Sequence, residues 1–244
     1  YIGYVTRHRG LFGNTNYHLS HFEFQEAKVR KSMDVETYKH GNVQMREYLK
    51  NTHDVDNMMN LDLLFTASKL SGDSKYYEVA VKHAQTHQGK NDESAWSRGQ
   101  AWGVYGYTSC YRETKDTTFL QEATHIADMI MQRVKTDDCI PYWDLDAPAG
   151  KDTPRDASAA AVTASALLEL STFVPDGKKY FDYAETILKN LSSDHYLAAK
   201  GSNQGFVLMH STGSLPHGSE IDVPLNYADY YYLEALQRYQ NLTK

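Results

Sequence analysis

From residue 57 onward, apolar positions recur at helical spacing in runs separated by short polar turns. In NMMNLDLLFTASKL, the residues Met58, Leu61, Leu64, Phe65 and Ser68 share one broad face. SGD at 71–73 ends that run, and SKYYEVAVKHA starts a second helix with Tyr76, Val79 and His83 on one side. Two helices joined by so short a turn form an antiparallel αα-hairpin. The arrangement recurs: QAWGVYGYTSCYRETKD leads into TTFLQEATHIADMIMQRV, and AAAVTASALLELSTFVPDG leads into KKYFDYAETILKNLSS. Each first helix is rich in small and apolar residues and ends in a turn bearing Asp73, Asp116 or Asp176. Each second helix opens with an aromatic residue, Tyr76, Phe119 or Tyr180. This is an internal repeat of helical hairpins at a period of roughly 45 to 60 residues. The alanine-rich run 157–166 favours helix and allows close helix approach.

Between the hairpins lie longer stretches rich in Pro, Gly and Asp: CIPYWDLDAPAGKDTPRDAS, and GSNQGFVLMHSTGSLPHGSEIDVPLNYADYYY at 201–232. Loops of that length in a compact domain usually carry function. Tandem hairpins closing into a ring, with irregular loops over one mouth, predict an all-α fold, an α/α toroid. An open helical solenoid would normally lack such Trp- and His-bearing loops. The chain reads as one domain over 1–244, although residues 1–50 are polar and weakly periodic and offer only a single helix at about 24–33.

Composition narrows the function. A formal charge of −6 argues against nucleic acid or an anionic membrane surface as the main partner. An anionic sugar needs only a local positive pocket. No run approaches the roughly 18 apolar residues of a membrane span. The 19 Tyr and 3 Trp suit sugar faces, although most Tyr are expected in the core. Cys110 and Cys139 form neither a disulfide framework nor a metal motif, and no Gly-rich phosphate loop occurs, so no cofactor or metal is implied. The chain opens at Tyr1 without a signal-like run and reads as a processed form or a part of a longer chain.

Three segments concentrate polar chemistry. Asp54 and Asp56 stand at the mouth of a helix, where acidic residues commonly cap free N–H groups. Gln88, Trp96, Arg98, Gln100 and Trp102 cluster in THQGKNDESAWSRGQAWGVYGY; the tryptophans could equally fill the core. Trp143, Asp144, Arg155, Asp156, His210, His217, Glu220 and Asp222 fall in the two long loops.

With these motifs in view, the chain resembles the unsaturated glucuronyl hydrolases, glycoside hydrolase family 88. The likeness rests on DNMMNLDLLFTASKLSGD, SAWSRGQAWGVYGYTSCYRETKD, IPYWDLDAP, PRDASAAAVTASALLEL and GSLPHGSEIDVPLNYADYYYLEAL, in that order. The resemblance implies a six-hairpin (α/α)6 barrel with a pocket at one mouth. It also implies hydration of the C4–C5 double bond of a terminal 4,5-unsaturated uronic acid on lyase-generated oligosaccharides. By resemblance Asp56 is the acid/base and Asp54 the counterpart of a second aspartate. Gln88 and Arg98 match pocket positions, the guanidinium suiting a substrate carboxylate or a neighbouring polar group. Trp102 is a candidate sugar-facing aromatic. Export to a bacterial periplasm is the expected location, with cytoplasm the rival.

Two alternatives stay open. One is the sister unsaturated rhamnogalacturonyl hydrolases, which tend to carry RGNGW where this chain has RGQAW at 98–102. The other is an inactive barrel that binds acidic sugars. The chain also departs from the family: its two aspartates are two positions apart, and residues at i and i+2 of a helix point to nearly opposite faces. At Val55–Asp56 and at Ala84–Gln85 it passes directly from one family landmark to the next. Either internal segments are absent from these residues, or this is a relative that has lost them; the intact flanking motifs favour the first.

Overall fold

The computed structural model describes residues 61–86 and 95–244. The chain divides into two compact units, Tyr1–His53 and Asp54–Lys244. That first unit, including the helix expected at 24–33, lies outside the described residues. All described elements belong to the second unit.

Among the described residues there are seven α-helices: α1 (Leu61–Ser71), α2 (Ser74–Thr86), α3 (Ser97–Thr114), α4 (Thr117–Arg133), α5 (Ala157–Leu170), α6 (Gly177–Leu191) and α7 (Asn226–Leu242). Extended backbone among these residues is limited to isolated bridges. The hairpins α1–α2, α3–α4 and α5–α6 are those the periodicity predicts. Gly72 takes φ +72° in the first turn, a conformation that glycine adopts without steric cost. The aspartates of the three turns differ in role. The Lys75 N–H donates to Asp73 Oδ1 at 3.0 Å, and the Thr118 N–H to Asp116 Oδ1 at 2.9 Å. Asp176 holds the N-cap position of α6 without a capping hydrogen bond and lies 4.0 Å from Lys179 Nζ. The Ala84–Gln85 junction lies inside α2, which runs on to Thr86. The Val55–Asp56 junction lies outside the described residues.

Helices α1, α3, α5 and α7 pack side by side in that order, and α2, α4 and α6 back them. This is the inner and outer layering of an α/α barrel, described here as an arc. Burial follows the layers. All of α5 except Glu169 is buried, because its Ala and Ser positions let α3 and α7 approach from both flanks. The outer helices bury one stripe each: Phe119, Ala123, Ala127 and Ile130 on α4, and Tyr180, Ala184, Ile187 and Leu191 on α6. Helix α7 lies in a stretch that the sequence presents as one long loop to residue 232. The loop ends at 225 instead, and Ala228, Tyr231, Tyr232 and Ala235 form the buried stripe of a helix.

At their C-terminal ends the inner helices are joined in series by charge. Lys69 of α1 pairs with Glu113 at 2.7 Å, and Arg112 reaches both Glu113 at 2.9 Å and Glu169 of α5 at 2.7 Å. Arg238 of α7 completes the series on Glu169 at 2.9 Å. Partial burial pushes the Glu113 carboxyl up, but the Lys69 and Arg112 hydrogen bonds outweigh it and hold the group below its usual range.

Two measurements test this account of the fold. A Cβ at Gly177 would overlap the Ser171 carbonyl, standing 2.8 Å from its carbon, whereas one at Gly150 would meet nothing within 4 Å. Gly177→Ala is expected to cost about 1–3 kcal/mol in urea unfolding, and Gly150→Ala to stay within about 0.5 kcal/mol. Glu113→Gln is expected to be less stable than wild type at pH 7. Because the folded-state pKa of Glu113 is lowered, its contribution is present above the ordinary value of 4.5 and is lost as pH falls through the folded value. The stability gap between variant and wild type should therefore close on acidification below 4.5.

Candidate active site

Turns at the C-terminal ends of the inner helices α1, α3 and α5 are short, at 72–73, 115–116 and 171–176. The long connections, 134–156 and 192–225, lead into the N-termini of α5 and α7. The N-termini of α3, α5 and α7 thus share one end of the arc with both loops, and this end is the mouth.

Loop 134–156 is stitched to the start of α3. Trp96 bridges Asp144, and Tyr142 bridges Arg155. The Ser97 N–H donates to the Trp143 carbonyl at 3.1 Å, and the Ser97 hydroxyl to the Tyr142 carbonyl at 2.6 Å. These bonds satisfy α3, whose N-cap Trp96 has no capping side chain. Arg155 stacks over Tyr142 at 4.7 Å and pairs with Asp138 at 3.1 Å. Asp138 also accepts the Tyr196 hydroxyl at 2.8 Å. Burial and that bond to Asp138 push the Tyr196 phenol well up from its ordinary range.

Loop 192–225 carries a short hairpin over 209–223. Ser211 and Val223 exchange backbone hydrogen bonds of 2.9 and 3.1 Å, as do Ser214 and Ser219 at 3.2 Å. Three non-glycine residues of this hairpin, His210, Glu220 and Asp222, have φ of 62°, 52° and 55°. His210 Nδ1 lies 2.6 Å from Asp222 Oδ1, and the His210 ring stacks on His195 at 5.4 Å. Where the loop begins to turn back, the Val207 and Leu208 N–H groups both donate to Asp229 of α7 at 2.8 Å. Burial raises the Asp229 carboxyl above its usual value against the pull of these two bonds.

The two loops and two inner helices meet at Arg98 and Asp156. Arg98, in the first turn of α3, is 6% exposed, and Asp156, the N-cap of α5, is fully buried. Arg98 Nη1 donates to the Thr212 carbonyl at 2.6 Å and lies 3.4 Å from Asp156 Oδ2. Arg98 Nη2 donates to the Gly213 carbonyl at 2.6 Å. The guanidinium also lies 4.4 Å from the Trp96 ring and 5.4 Å from the Tyr227 ring. Asp156 Oδ1 accepts the Ser158 N–H at 3.0 Å, the Ala159 N–H at 3.3 Å, the Ser158 hydroxyl at 2.5 Å and the Thr212 N–H at 3.4 Å. With its oxygens so engaged, Asp156 organises the mouth and offers little to a reacting group.

Of the residues the sequence singles out, the structure brings together Arg98, Asp144, Arg155, Asp156, His210, Glu220 and Asp222 at the mouth end. Trp102 is 2% exposed and packs edge-on against Tyr231 at 5.0 Å and near Tyr227 at 6.3 Å. Its described surroundings are those of a core residue between α3 and α7, whereas Trp96 lies beside the guanidinium. Asp54, Asp56 and Gln88 lie outside the described residues, as does the side chain of His217. The sequence reading missed Thr212 and Gly213, which act through backbone carbonyls that leave no side-chain signal. It also missed His195 and Tyr227, the latter sitting in a tyrosine-rich motif already quoted for the family. Among the described residues no group of three or more His, Cys, Asp or Glu could hold a metal ion, and no helix is long and apolar enough to cross a membrane.

Comparison with known proteins places this architecture. Residues 98–232 match the model of glycosyl hydrolase family 47, a match confined to the stretch from α3 into α7. Residue-level similarity extends further and points elsewhere. The chain is 43% identical over 219 residues to an unsaturated glucuronyl hydrolase of Formosa agariphila, covering 77% of this chain and 54% of the relative. It is 30% identical over 218 residues to an unsaturated chondroitin disaccharide hydrolase of Streptococcus pneumoniae, covering 76% and 55%. The chain thus spans about half the length of the curated relatives it matches. A crystal structure of an unsaturated glucuronyl hydrolase specific for heparin superposes with a TM-score of 0.75 at 42% identity, over 90% of this chain and 72% of that one. The structure of the Bacillus sp. unsaturated glucuronyl hydrolase gives 0.67 at 30% identity, over 75% and 57%. Identity at this level over most of the chain, in the same fold, outweighs a profile match to part of it. The chain belongs to the unsaturated glucuronyl hydrolase family.

Proposed function

We propose that this protein hydrates the C4–C5 double bond of a terminal 4,5-unsaturated uronic acid and so releases it from lyase-generated oligosaccharides. The observation that carries the reading is the 42–43% identity to unsaturated glucuronyl hydrolases in a shared fold. The mouth geometry is compatible with it. The N-termini of three inner helices gather there beside the two long loops, at the end where a sugar could enter.

In the proposed reaction the carboxylic acid of Asp56 protonates C4 of the vinyl ether, and water adds at C5 while the carboxylate takes up its proton. The hemiketal at C5 then opens by cleavage of its bond to the ring oxygen, leaving a ketone at C5. Collapse of the remaining hemiacetal at C1 gives an aldehyde and expels the aglycone with the glycosidic oxygen. No displacement at C1 occurs, so the usual link between carboxylate separation and retention or inversion does not apply. Asp54 and Gln88 are assigned to the same pocket as a second carboxylate and a polar contact. The substrate class is taken to be glycosaminoglycan-derived disaccharides, since relatives are named for heparin and chondroitin substrates.

The conjugated enoate absorbs in the ultraviolet, and hydration destroys that absorbance. Wild-type protein with a panel of heparin-, chondroitin-, rhamnogalacturonan- and ulvan-derived unsaturated disaccharides is expected to bleach the glycosaminoglycan members fastest. Asp56→Asn should lower kcat by about a thousandfold, within the range a general acid contributes. Absorbance that persists across the panel with wild type would leave a barrel that binds acidic sugars without turning them over.

A further inference from the structure

The 209–223 hairpin stands at the mouth on a short ladder of its own. Besides two bridged pairs it has a backbone bond from the Gly213 N–H to the Glu220 carbonyl at 2.6 Å and the His210–Asp222 contact, yet His210, Glu220 and Asp222 all occupy the left-handed region. Non-glycine residues in that region cost free energy and persist only where the surroundings over-determine them. At Gly213 the fold is tight as well, since a Cβ there would stand 2.6 Å from Glu220 Cβ. Groups outside the hairpin help to fix its shape.

The anchoring groups are Arg98 and Asp156, which sit more than fifty positions away in the chain and at the starts of two different inner helices. Two guanidinium nitrogens of Arg98 take the adjacent carbonyls of Thr212 and Gly213, both at 2.6 Å. Asp156 takes the Thr212 N–H from the other side, and the Ala157 N–H donates to the His210 carbonyl at 3.0 Å. The hairpin base is thereby tied to the N-terminus of α5 and to the first turn of α3.

We infer that Arg98 and Asp156 are a positioning pair that sets the 209–223 hairpin over the mouth. Lysine cannot replace arginine in this role, because a single ammonium lacks the planar fork that spans two successive carbonyls. The inference rests on the proposed hydrolase reading only for its kinetic consequence; the anchoring itself is independent of any activity.

The test is hydrogen exchange of backbone amides in wild type, Arg98→Lys and Asp156→Asn, with turnover of a heparin-derived unsaturated disaccharide followed in parallel. Asn at 156 keeps an acceptor for the Ser158 and Ala159 amides and caps a helix as well as Asp, so it removes the ion pair while leaving the cap. In both variants the amides of Ser211, Gly213, Ser214 and Val223, and that of Ala157, should exchange on the order of ten- to a hundredfold faster, as expected for losing hydrogen bonds to a charged group. The α5 amides from Ser158 onward should keep their protection. Arg98→Lys should raise KM on the order of tenfold, as a loosened hairpin holds substrate less well, with a smaller change in kcat. Unchanged exchange at the hairpin amides in both variants would overturn the inference, whatever happens to turnover. Unchanged exchange with a collapse of kcat would place Arg98 on the substrate itself. If wild type turned over no disaccharide, the hydrolase reading would fail while the exchange result still decided the anchoring.

Discussion

A buried guanidinium beside a buried carboxylate is costly unless their donors and acceptors find partners. Arg98 and Asp156 meet that condition by drawing the rest of the mouth to them. The carboxylate needs donors, and the α5 N-terminus supplies them; the guanidinium needs acceptors, and the carbonyls of Thr212 and Gly213 supply those. The pair therefore fixes at once where α5 begins, how α3 lies beside it and where the 209–223 hairpin stands. Removing either partner would leave a buried charge unmatched, so the arrangement holds or fails as a unit.

The body of the arc provides the rigid frame this node requires. Helix α5 can be buried along nearly its whole length because small side chains let its neighbours come close. The Lys69–Glu113–Arg112–Glu169–Arg238 series ties the opposite ends of the same four inner helices. With short turns at that end, the variable and chemically rich backbone collects at the N-terminal ends. There the N-terminal end of the α5 dipole already faces the buried Asp156 carboxylate.

The hairpins were legible because their code is local: a 3.6-residue stripe, a polar turn and an aromatic residue opening the outer helix, as at Phe119 and Tyr180. Helix α7 was not, since NYADYYYLEAL shows little contrast between faces and follows a stretch dense in Pro, Gly and Asp. Asp156 and Arg98 stood out as polar residues leading into apolar helices. Their partners did not, because a backbone carbonyl has no residue type. Trp102 carried two readings from the sequence, core filling and a sugar-facing ring, and nothing in RGQAW separates them. The structure places it against Tyr231 and leaves Trp96 beside the guanidinium.

The central claim is that an unsaturated uronate binds at the N-terminal ends of the inner helices, in a mouth shaped by Arg98 through the hairpin. A crystal structure of the Asp56→Asn variant with a heparin-derived unsaturated disaccharide tests it most directly. The account predicts the uronate ring at that end of the arc, with the Arg98 fork still on the carbonyls of Thr212 and Gly213. A guanidinium turned onto the sugar carboxylate with the hairpin released, or a sugar bound away from the mouth, would contradict it.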